Sequence, residues 1–258
     1  MTIALTGTVH DPEGLQFPIL ERHAALFRLY AGVYLAVSPE TDPRLSTVLT
    51  AHGVVLVTGG TEVGAARRAA LRSAVAAGHG AFLAIDFDRW LHWAGTYPDE
   101  LAAIPGRVAR QRPRRWYVCL GRTRRAFASH PRVQRLTETV TNTALSLAVG
   151  RRLDAAAGAA WLSREGADLI PRESIAPTAA TDLEWPAIIY RADPRRLGQL
   201  RCDGLEFETA AFHAGAVAAA GGLDPWVRQT YDHPASWQRR TQLAADSIVA
   251  LSRVLDPS

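Results

Sequence analysis

Short runs of apolar residues alternate with amphipathic stretches through the first half of the chain. Runs at residues 3–9, 33–37, 54–57 and 81–85 have the length of β-strands, and another follows at residues 116–120. Between them, apolar residues recur every three to four positions, which is typical of helices that pack one face against a sheet. The pattern predicts an α/β protein in which crossover helices join mostly parallel strands.

Residues that start and end helices fall between the predicted strands. Asp42 and Pro43 form an N-cap and first-turn pair for a helix that ends at Gly53. Gly78 ends an alanine-rich helix predicted over residues 62–77. The second half reads as largely helical, and we predict helices over residues 131–149, from residue 163, from residue 181 and through the C-terminal region, with a short strand at residues 199–202.

Two carboxylates directly follow the apolar run at residues 81–85. Five consecutive apolar residues suit a central strand that is covered on both faces. Asp86 and Asp88 then lie at its carboxyl end, where open α/β sheets bind their ligands. Carboxylates at i and i+2 can share one Mg²⁺ or Mn²⁺ and leave coordination positions for diphosphate oxygens. The alternative is structural, with Asp86 capping the turn and Asp88 pairing with Arg89 at the surface.

Composition excludes several classes of protein. Every basic residue is an arginine, so P-loop and Schiff-base enzymes, which need a lysine amine, are excluded. The formal net charge of +4 is too small to indicate a nucleic-acid partner. No apolar run is long enough to span a bilayer and no basic leader is present, which predicts a cytoplasmic protein.

A basic cluster follows the fourth predicted strand. It is either a solvated loop or a contact for a phosphorylated acceptor or an anionic membrane surface, so a peripheral membrane contact stays open. Its members are Arg107, Arg110, Arg112, Arg114 and Arg115.

The stretch before the two carboxylates resembles a segment of the family-two GT-A glycosyltransferases. In that family a helix with the pattern G-x-A-x-A-R-N-x-G precedes the strand that carries a D-x-D motif. Here Val63-Gly-Ala-Ala-Arg-Arg-Ala-Ala-Leu-Arg72 precedes Asp86-Phe-Asp88. Arg67 aligns with the family's arginine, whereas Arg68 replaces its asparagine.

Two later stretches extend the resemblance to about residue 208. Asp154-Ala-Ala-Ala-Gly-Ala-Ala-Trp-Leu-Ser-Arg164 is similar to the D-x-x-S-G-F-R-x-x-x-R stretch of the polyprenyl-phosphate sugar synthases, although Ala157 and Ala160 replace its serine and its first arginine. An acidic residue opens the helix predicted from residue 181, and a glycine and a short strand follow, as in the family. The order of these segments also agrees with the family.

This resemblance implies a GT-A fold, with a mostly parallel central sheet flanked by helices and a helical C-terminal region. Residues 1–120 would form the nucleotide-sugar-binding half, and residues 121–258 the acceptor side and the C-terminal helices of one compact domain. The implied function is a metal-dependent, inverting glycosyltransferase that moves a sugar from a nucleoside-diphosphate sugar to an unidentified acceptor. Mg²⁺ or Mn²⁺ would be held by Asp86 and Asp88.

The resemblance also assigns donor-binding residues. Thr8, His10 and Asp11 follow the first strand, where such enzymes contact the base or the ribose, and Arg67 and Asp86 would complete the donor site. The alternative for Asp11 is an Asx turn that caps the following helix.

A general base is needed to deprotonate the acceptor in an inverting transfer. Asp182 or Glu184 is the candidate, since a carboxylate at a loop-to-helix junction can face the anomeric carbon opposite the metal. Alternatively, both residues stabilise the start of a helix. Further candidates that are equally consistent with core or structural roles are Trp90, His92 and Trp93 for a sugar pocket, and Glu206, Glu208 and His213 for another metal ligand.

Two other functions compete with sugar transfer. The departures at Arg68, Ala157 and Ala160 leave open a degenerate GT-A-like protein that binds a nucleotide without transferring sugar. A sugar-phosphate nucleotidyltransferase would need a glycine-rich loop with arginine and lysine after the first strand, and the sequence there, TGTVHDPEG, lacks both.

Overall fold

The computed structural model describes residues 3–111 and 113–256, and these form an α/β structure around one seven-stranded sheet. The strands are β1 Ile3–Val9, β2 Gly32–Val37, β3 Val55–Thr58, β4 Ala81–Ile85, β5 Tyr117–Arg122, β6 Ala159–Ser163 and β7 Leu197–Cys202. Their order is β3-β2-β1-β4-β6-β5-β7, and only β6 runs antiparallel to its neighbours. The mostly parallel α/β architecture predicted from the sequence is confirmed.

Helices cover both faces of this sheet. They are α1 Phe17–His23, α2 Pro43–Ala51, α3 Val63–Ala76, α4 Phe87–Thr96, α5 Pro98–Ala109, α6 Arg124–Ala128, α7 Arg132–Ala148, α8 Arg164–Glu173, α9 Thr181–Ala192, α10 Thr209–Phe212, α11 Ala214–Ala219, α12 Leu223–Tyr231 and α13 Pro234–Leu255. Segments Ala24–Leu29 and Pro194–Arg196 are 3₁₀ helices. As expected, Asp42 caps α2 by accepting a hydrogen bond from the Arg44 amide.

The pleat of β4 explains why its sequence is continuously apolar. Leu83 packs into a cluster formed with α1, α2, α4 and α5, whereas Phe82 packs into a cluster formed with α3, α7, α8, α9 and α13. Successive side chains of a strand point to opposite faces, so a strand covered on both sides needs an apolar residue at every position. β4 is therefore the central strand that the sequence indicated.

Three details of the sequence-based prediction are wrong. The small residues around Gly158 predict a turn, whereas residues 159–163 form strand β6, because alanines carry little strand signal and the strand is stabilised by pairing with β4 and β5. Helix α5 extends to Ala109, so Arg107 of the basic cluster lies in a helix rather than in a solvated loop. The polar, proline-bearing sequence at residues 171–180 predicts a loop, but helix α8 continues through Pro171 to Glu173, so the loop before α9 is shorter.

Trp90 and Trp93 belong to the core rather than to a sugar pocket. Both are completely buried, and Trp90 stacks on Phe27 with ring centroids 4.8 Å apart. The Trp93 indole donates a hydrogen bond to Glu100 at 3.0 Å, which also satisfies its polar atom.

The basic cluster is held mainly by contacts within the protein. Arg107 donates to the Arg201 carbonyl, Arg114 pairs with Glu165, and Arg115 donates to the Arg195 carbonyl. Arg112 lies outside the described residues. Within the described ranges, no helix combines the length and the apolar character needed to cross a bilayer.

Candidate active site

The candidate site lies at the carboxyl ends of β1 and β4. Asp86 occupies the N-cap position of α4, and Asp88 lies in the first turn of that helix. Thr8 near the end of β1 donates a hydrogen bond from its hydroxyl to Asp86 at 2.8 Å. Since neighbouring parallel strands end at the same edge of a sheet, β1 and β4 bring these polar side chains together.

Arg67 of α3 links two of the candidate carboxylates. Its Nε and Nη2 donate to the two oxygens of Asp86 at 3.1 and 2.6 Å, which forms a bidentate pair. Its Nη1 donates to Asp182 at 2.7 Å and to the Thr181 hydroxyl at 2.8 Å. The guanidinium therefore joins the end of β4 to the first turn of α9.

Burial and charge act in opposite directions on this cluster. Burial by itself would raise the pKa of Asp86, but Arg67 outweighs it and holds that pKa below its usual range. For Asp182 burial dominates and raises the pKa, although Arg67 opposes the shift. Asp86 is thus fixed as an anion, whereas Asp182 takes up a proton more readily than an exposed aspartate.

Asp88 is the most strongly perturbed carboxyl of the site. Burial, followed by the nearby charges of Glu208 and Asp86, raises its pKa to about 7, and Arg89 only partly offsets this. Arg89 lies 3.5 Å from one Glu208 oxygen, while the other oxygen is buried and finds no hydrogen-bond partner among the described residues. The site therefore concentrates negative charge that the arginines do not fully compensate.

Three clefts surround these residues. The inner cleft is lined by Thr6, Gly7, Arg67, Ala84, Ile85, Asp86, Tyr117, Gly158, Ala159, Ala160, Thr181, Asp182 and Trp185. The helix cleft, about 90 Å³, is lined by Arg67, Asp86, Arg89, Thr137, Glu138, Thr141, Ala156, Gly158, Ala179, Asp182, Leu183, Arg240, Leu243, Ala244 and Ser247. The loop cleft, about 180 Å³, is lined by His10, Asp11, Pro12, Glu13, Leu15, Gln16, Asp88, Thr209, Phe212 and His213.

Most of the residues selected from the sequence meet in this region. Arg67, Asp86 and Asp182 line both the inner and the helix clefts. His10 and Asp88 line the loop cleft, where His10 also hydrogen-bonds the Ser38 hydroxyl at 2.8 Å. Asp11 lines the same cleft, and Thr8 hydrogen-bonds Asp86.

Asp11 has a structural role in the free protein. Its carboxylate accepts hydrogen bonds from the backbone amides of Leu15 and Gln16, at 2.9 and 2.8 Å. These bonds order the turn before α1 but are not the expected Asx turn or helix cap, since they reach four and five residues along the chain and Gln16 occupies the N-cap position of α1. The same carboxylate also lines the loop cleft.

Glu184 is placed differently from the other candidates. It is completely buried and lines none of the three clefts. It accepts hydrogen bonds from the Ile175 and Ala176 amides at 2.8 and 3.0 Å, and from Ser174 and Arg253. The side chain ties the loop before α9 to α13, so of the two candidate bases only Asp182 faces a cleft.

We expect Glu184→Gln to affect stability and not chemistry. Losing hydrogen bonds to a charged acceptor should lower the free energy of unfolding by about 1.5–3 kcal/mol, measured in urea. Ligand binding by the folded variant should match that of the wild-type protein. A loss of binding at temperatures where the variant is fully folded would contradict this assignment.

Several cleft residues were not selected from the sequence. In the structural alternative Arg89 is a surface partner of Asp88, but its side chain is only 14% exposed, donates to the Ala157 carbonyl and pairs with Glu208. Arg240 reaches the helix cleft from α13 and pairs with Glu138. Its position reflects packing of α13 against α7, for which the sequence carries no local signal.

The stretch that resembles the polyprenyl-phosphate enzymes does not converge on the site. Asp154 is bound by Arg122, whose Nη2 donates to it at 2.7 Å, and Arg164 pairs with Asp168 one turn along α8. Gly158, with φ of +65°, forms a left-handed turn before β6. Of the three residues in this stretch that match those enzymes, Gly158 lines the inner cleft.

No protein-family model matches the chain, and no curated protein matches its sequence. Solved structures, in contrast, match the chain. Glucosyl-3-phosphoglycerate synthase from Mycobacterium tuberculosis superposes with a TM-score of 0.62 at 15% identity, covering 98% of this chain and 80% of that one. This chain has the GT-A fold. The complex of that synthase with Mn²⁺, uridine diphosphate and glucosyl-3-phosphoglycerate matches this chain with a TM-score of 0.57 at 17% identity, over 93% of this chain and 80% of that one.

Proposed function

We propose that the chain is a glycosyltransferase that moves a sugar from a nucleoside-diphosphate sugar to a small anionic acceptor. The observation that carries the proposal is the set of three acidic side chains, Asp86, Asp88 and Asp182, that line clefts at the carboxyl end of β4. Similar GT-A structures contain Mn²⁺ together with uridine diphosphate glucose. The fold alone does not determine the substrate, so the site chemistry has to support each component.

The carboxylates suit Mg²⁺ or Mn²⁺. The high pKa of Asp88 reflects its burial first and then the nearby charges of Glu208 and Asp86, and a bound divalent cation would stabilise the ionised carboxylate against both. Among the described residues, no group of three or more His, Cys, Asp or Glu side chains could cage a metal. One or two protein ligands with diphosphate oxygens in the remaining positions is how such ions bind at nucleotide sites.

Asp88 is better placed than Asp86 to contact the ion. Arg67 occupies both oxygens of Asp86, whereas Asp88 accepts one hydrogen bond, from the Arg89 amide, and opens on the loop cleft. His213 lines the same cleft and is a candidate second ligand. When bound, the cation would neutralise charge on the departing diphosphate.

The donor fits the N-terminal half of the molecule. His10 and Asp11 line the loop cleft beside Asp88, which supports a position for the base and ribose near the end of β1. Thr8 and Arg67 lie next to Asp86 and are available to orient the diphosphate. This supports the division in which residues 1–120 bind the donor and residues 121–258 supply the acceptor side.

The helix cleft suits a small acceptor that carries an anionic group. Arg89 and Arg240 contribute positive charge to it, and Thr137, Thr141 and Ser247 contribute hydroxyl groups. Because the chain contains no lysine, anion recognition by side chains falls to arginine. Structures of the similar synthase contain phosphoglyceric acid or glycerol 3-phosphate, which are small anionic molecules of this chemical class.

Asp182 is the proposed general base, and the proposed outcome is inversion. Burial raises its pKa, which strengthens it as a base, and it lines both the inner and the helix clefts. Arg67 holds the carboxylate in position, and the Thr181 hydroxyl accepts a second hydrogen bond from the same Arg67 nitrogen. Proton NMR of the anomeric centre during turnover tests this role, since a product with retained configuration would rule out a single displacement assisted by Asp182.

A thermal-shift panel tests the function directly. UDP-, GDP- and dTDP-sugars would be added with Mn²⁺ or with a chelator. One donor at 100 times its dissociation constant should stabilise the protein by about 2.7 kcal/mol, which is about 5–10 °C in Tm for a chain of this size, and only with the metal present. An equal shift in chelator would instead favour the degenerate, nucleotide-binding alternative.

A further inference from the structure

A larger cavity lies on the opposite side of α7 from the candidate active site. Its volume is about 920 Å³, and we name it the arginine cleft after four of its lining residues, Arg124, Arg151, Arg152 and Arg201. Phe127 and Leu147 contribute apolar surface to its wall. A cavity of this size is in the range that accommodates metabolites and nucleotides.

The arginine cleft is separate from the three clefts of the candidate site. Glu138 faces the helix cleft, whereas Asn142, one turn further along α7, faces the arginine cleft. Between them lies Arg122, which is completely buried and donates to Glu138 at 2.5 Å and to Asp154 at 2.7 Å. This buried ion cluster and the body of α7 form the partition.

The four arginines of the arginine cleft are not neutralised by the protein. Within residues 3–111 and 113–256, none of them forms an ion pair with a carboxylate. The one acidic residue that lines the cleft, Asp154, already accepts hydrogen bonds from Arg122 and Asn142. By contrast, Arg67, Arg89 and Arg122 in and beside the candidate site are all paired with carboxylates.

Two of these arginines are nevertheless held in place, by backbone carbonyls. Arg151 donates to the carbonyls of Leu197 and Pro194 at 2.7 and 3.1 Å, and its Nε is buried with no hydrogen-bond partner in the described part of the chain. Arg201 donates to the Arg122 carbonyl at 2.7 Å. Carbonyl contacts position a guanidinium without cancelling its charge, so the cleft keeps a concentrated positive potential.

We propose that the arginine cleft binds a small molecule that carries at least two phosphate groups. Guanidinium groups match phosphate oxygens in a bidentate geometry, and arginines distributed around one cavity can engage more than one phosphate. The wall formed by Phe127 and Leu147 provides apolar contact for the remainder of the ligand. The proposal does not depend on sugar transfer at the candidate site.

Calorimetric titration with inorganic pyrophosphate tests the proposal. The wild-type protein would be compared with the double variant Arg124→Ala/Arg152→Ala, in chelator and at low salt so that a metal-dependent donor site stays silent. Both residues are exposed, so the variant should fold normally, which thermal unfolding would check. We expect its dissociation constant for pyrophosphate to rise at least tenfold.

The control is Arg72→Ala, which removes an exposed arginine from α3. It should leave the pyrophosphate affinity unchanged. Equal affinity in the wild-type protein and the double variant would overturn the proposal. A double variant that keeps its affinity for pyrophosphate but no longer self-associates in sedimentation would also overturn the proposal. The cleft would then be an interface between copies of the chain.

Metal-dependent donor binding provides an independent readout. The double variant should retain it, since neither substituted arginine lines the three clefts of the candidate site. If pyrophosphate binding fails to depend on the two arginines while donor binding is intact, only the arginine cleft assignment falls. If donor binding is absent in the wild-type protein while the pyrophosphate result is as expected, only the proposed function falls.

Discussion

Asp88→Asn should abolish metal-dependent donor binding and lower kcat/KM for donor hydrolysis or transfer by about 10²- to 10³-fold. That range is typical for the removal of one preorganised electrostatic contact in an active site. The amide is a weaker ligand for a hard cation and removes the charge that the ion would neutralise. The measurement is thermal shift with a nucleoside-diphosphate sugar and Mn²⁺, followed by kinetics. Asp99→Asn, at an exposed position in the first turn of α5, is the matched control.

The pH dependence gives Asp88→Asn a second readout. Burial and the neighbouring carboxylates raise the pKa of Asp88 to about 7 in the folded protein. The protonated carboxyl therefore stabilises the metal-free protein fully below the ordinary pKa of an aspartate, and this contribution is lost as the pH rises through about 7. The variant should lack this loss. In the wild-type protein, Mn²⁺ affinity should increase over the same interval, since protons compete with the ion. Metal binding that is unchanged in Asp88→Asn would refute the proposed ligand.

Arg67→Met should be the most destabilising single substitution in the site. It leaves Asp86 and Asp182 without their shared partner, and removing one member of a buried ion pair costs about 3–5 kcal/mol. The side chain of Arg67 is only 11% exposed, so water cannot readily replace it. The free energy of unfolding in urea measures the effect, and Arg72→Met on the same helix is the control.

The double variant Arg67→Met/Asp182→Asn tests the cause of that loss. Removing one of the two stranded charges should restore part of the stability, so the two effects should not be additive. Donor binding should remain impaired in both variants, because Arg67 also positions Asp86. If Arg67→Met unfolds at the same urea concentration as Arg72→Met, the guanidinium does not hold the two elements together.

The predictions of strands and helix ends succeeded where the local sequence pattern depends directly on burial or on capping. The continuous apolar run of β4 is set by helices on both faces, and the caps at Asp42 and Gly78 mark real helix ends. Strand β6 was missed because its alanines fit a turn as well as a strand. Only its antiparallel pairing between β4 and β5 stabilises it as a strand.

The same distinction holds for the site. Asp86 and Asp88 could be placed at the carboxyl end of the sheet from the sequence alone, because they directly follow the apolar run of a buried strand. Open α/β sheets bind their ligands at that end. The roles of Asp182 and Glu184 could not be separated, although they lie two residues apart. The turn of α9 points Asp182 toward Arg67 and Glu184 into the protein toward Arg253.

The sequence by itself determined the α/β class, the order of most strands along the chain, the absence of lysine chemistry and the position of the paired carboxylates. These depend on periodicity and residue type, which are properties of neighbouring residues. The tertiary structure alone decided that Arg67 joins residues 19 and 115 positions away and that Glu184 is buried away from the clefts. It also decided that four arginines without an ion pair among the described residues line a separate cleft. Charge pairing depends on which side chains meet after folding, and no local pattern encodes those distances.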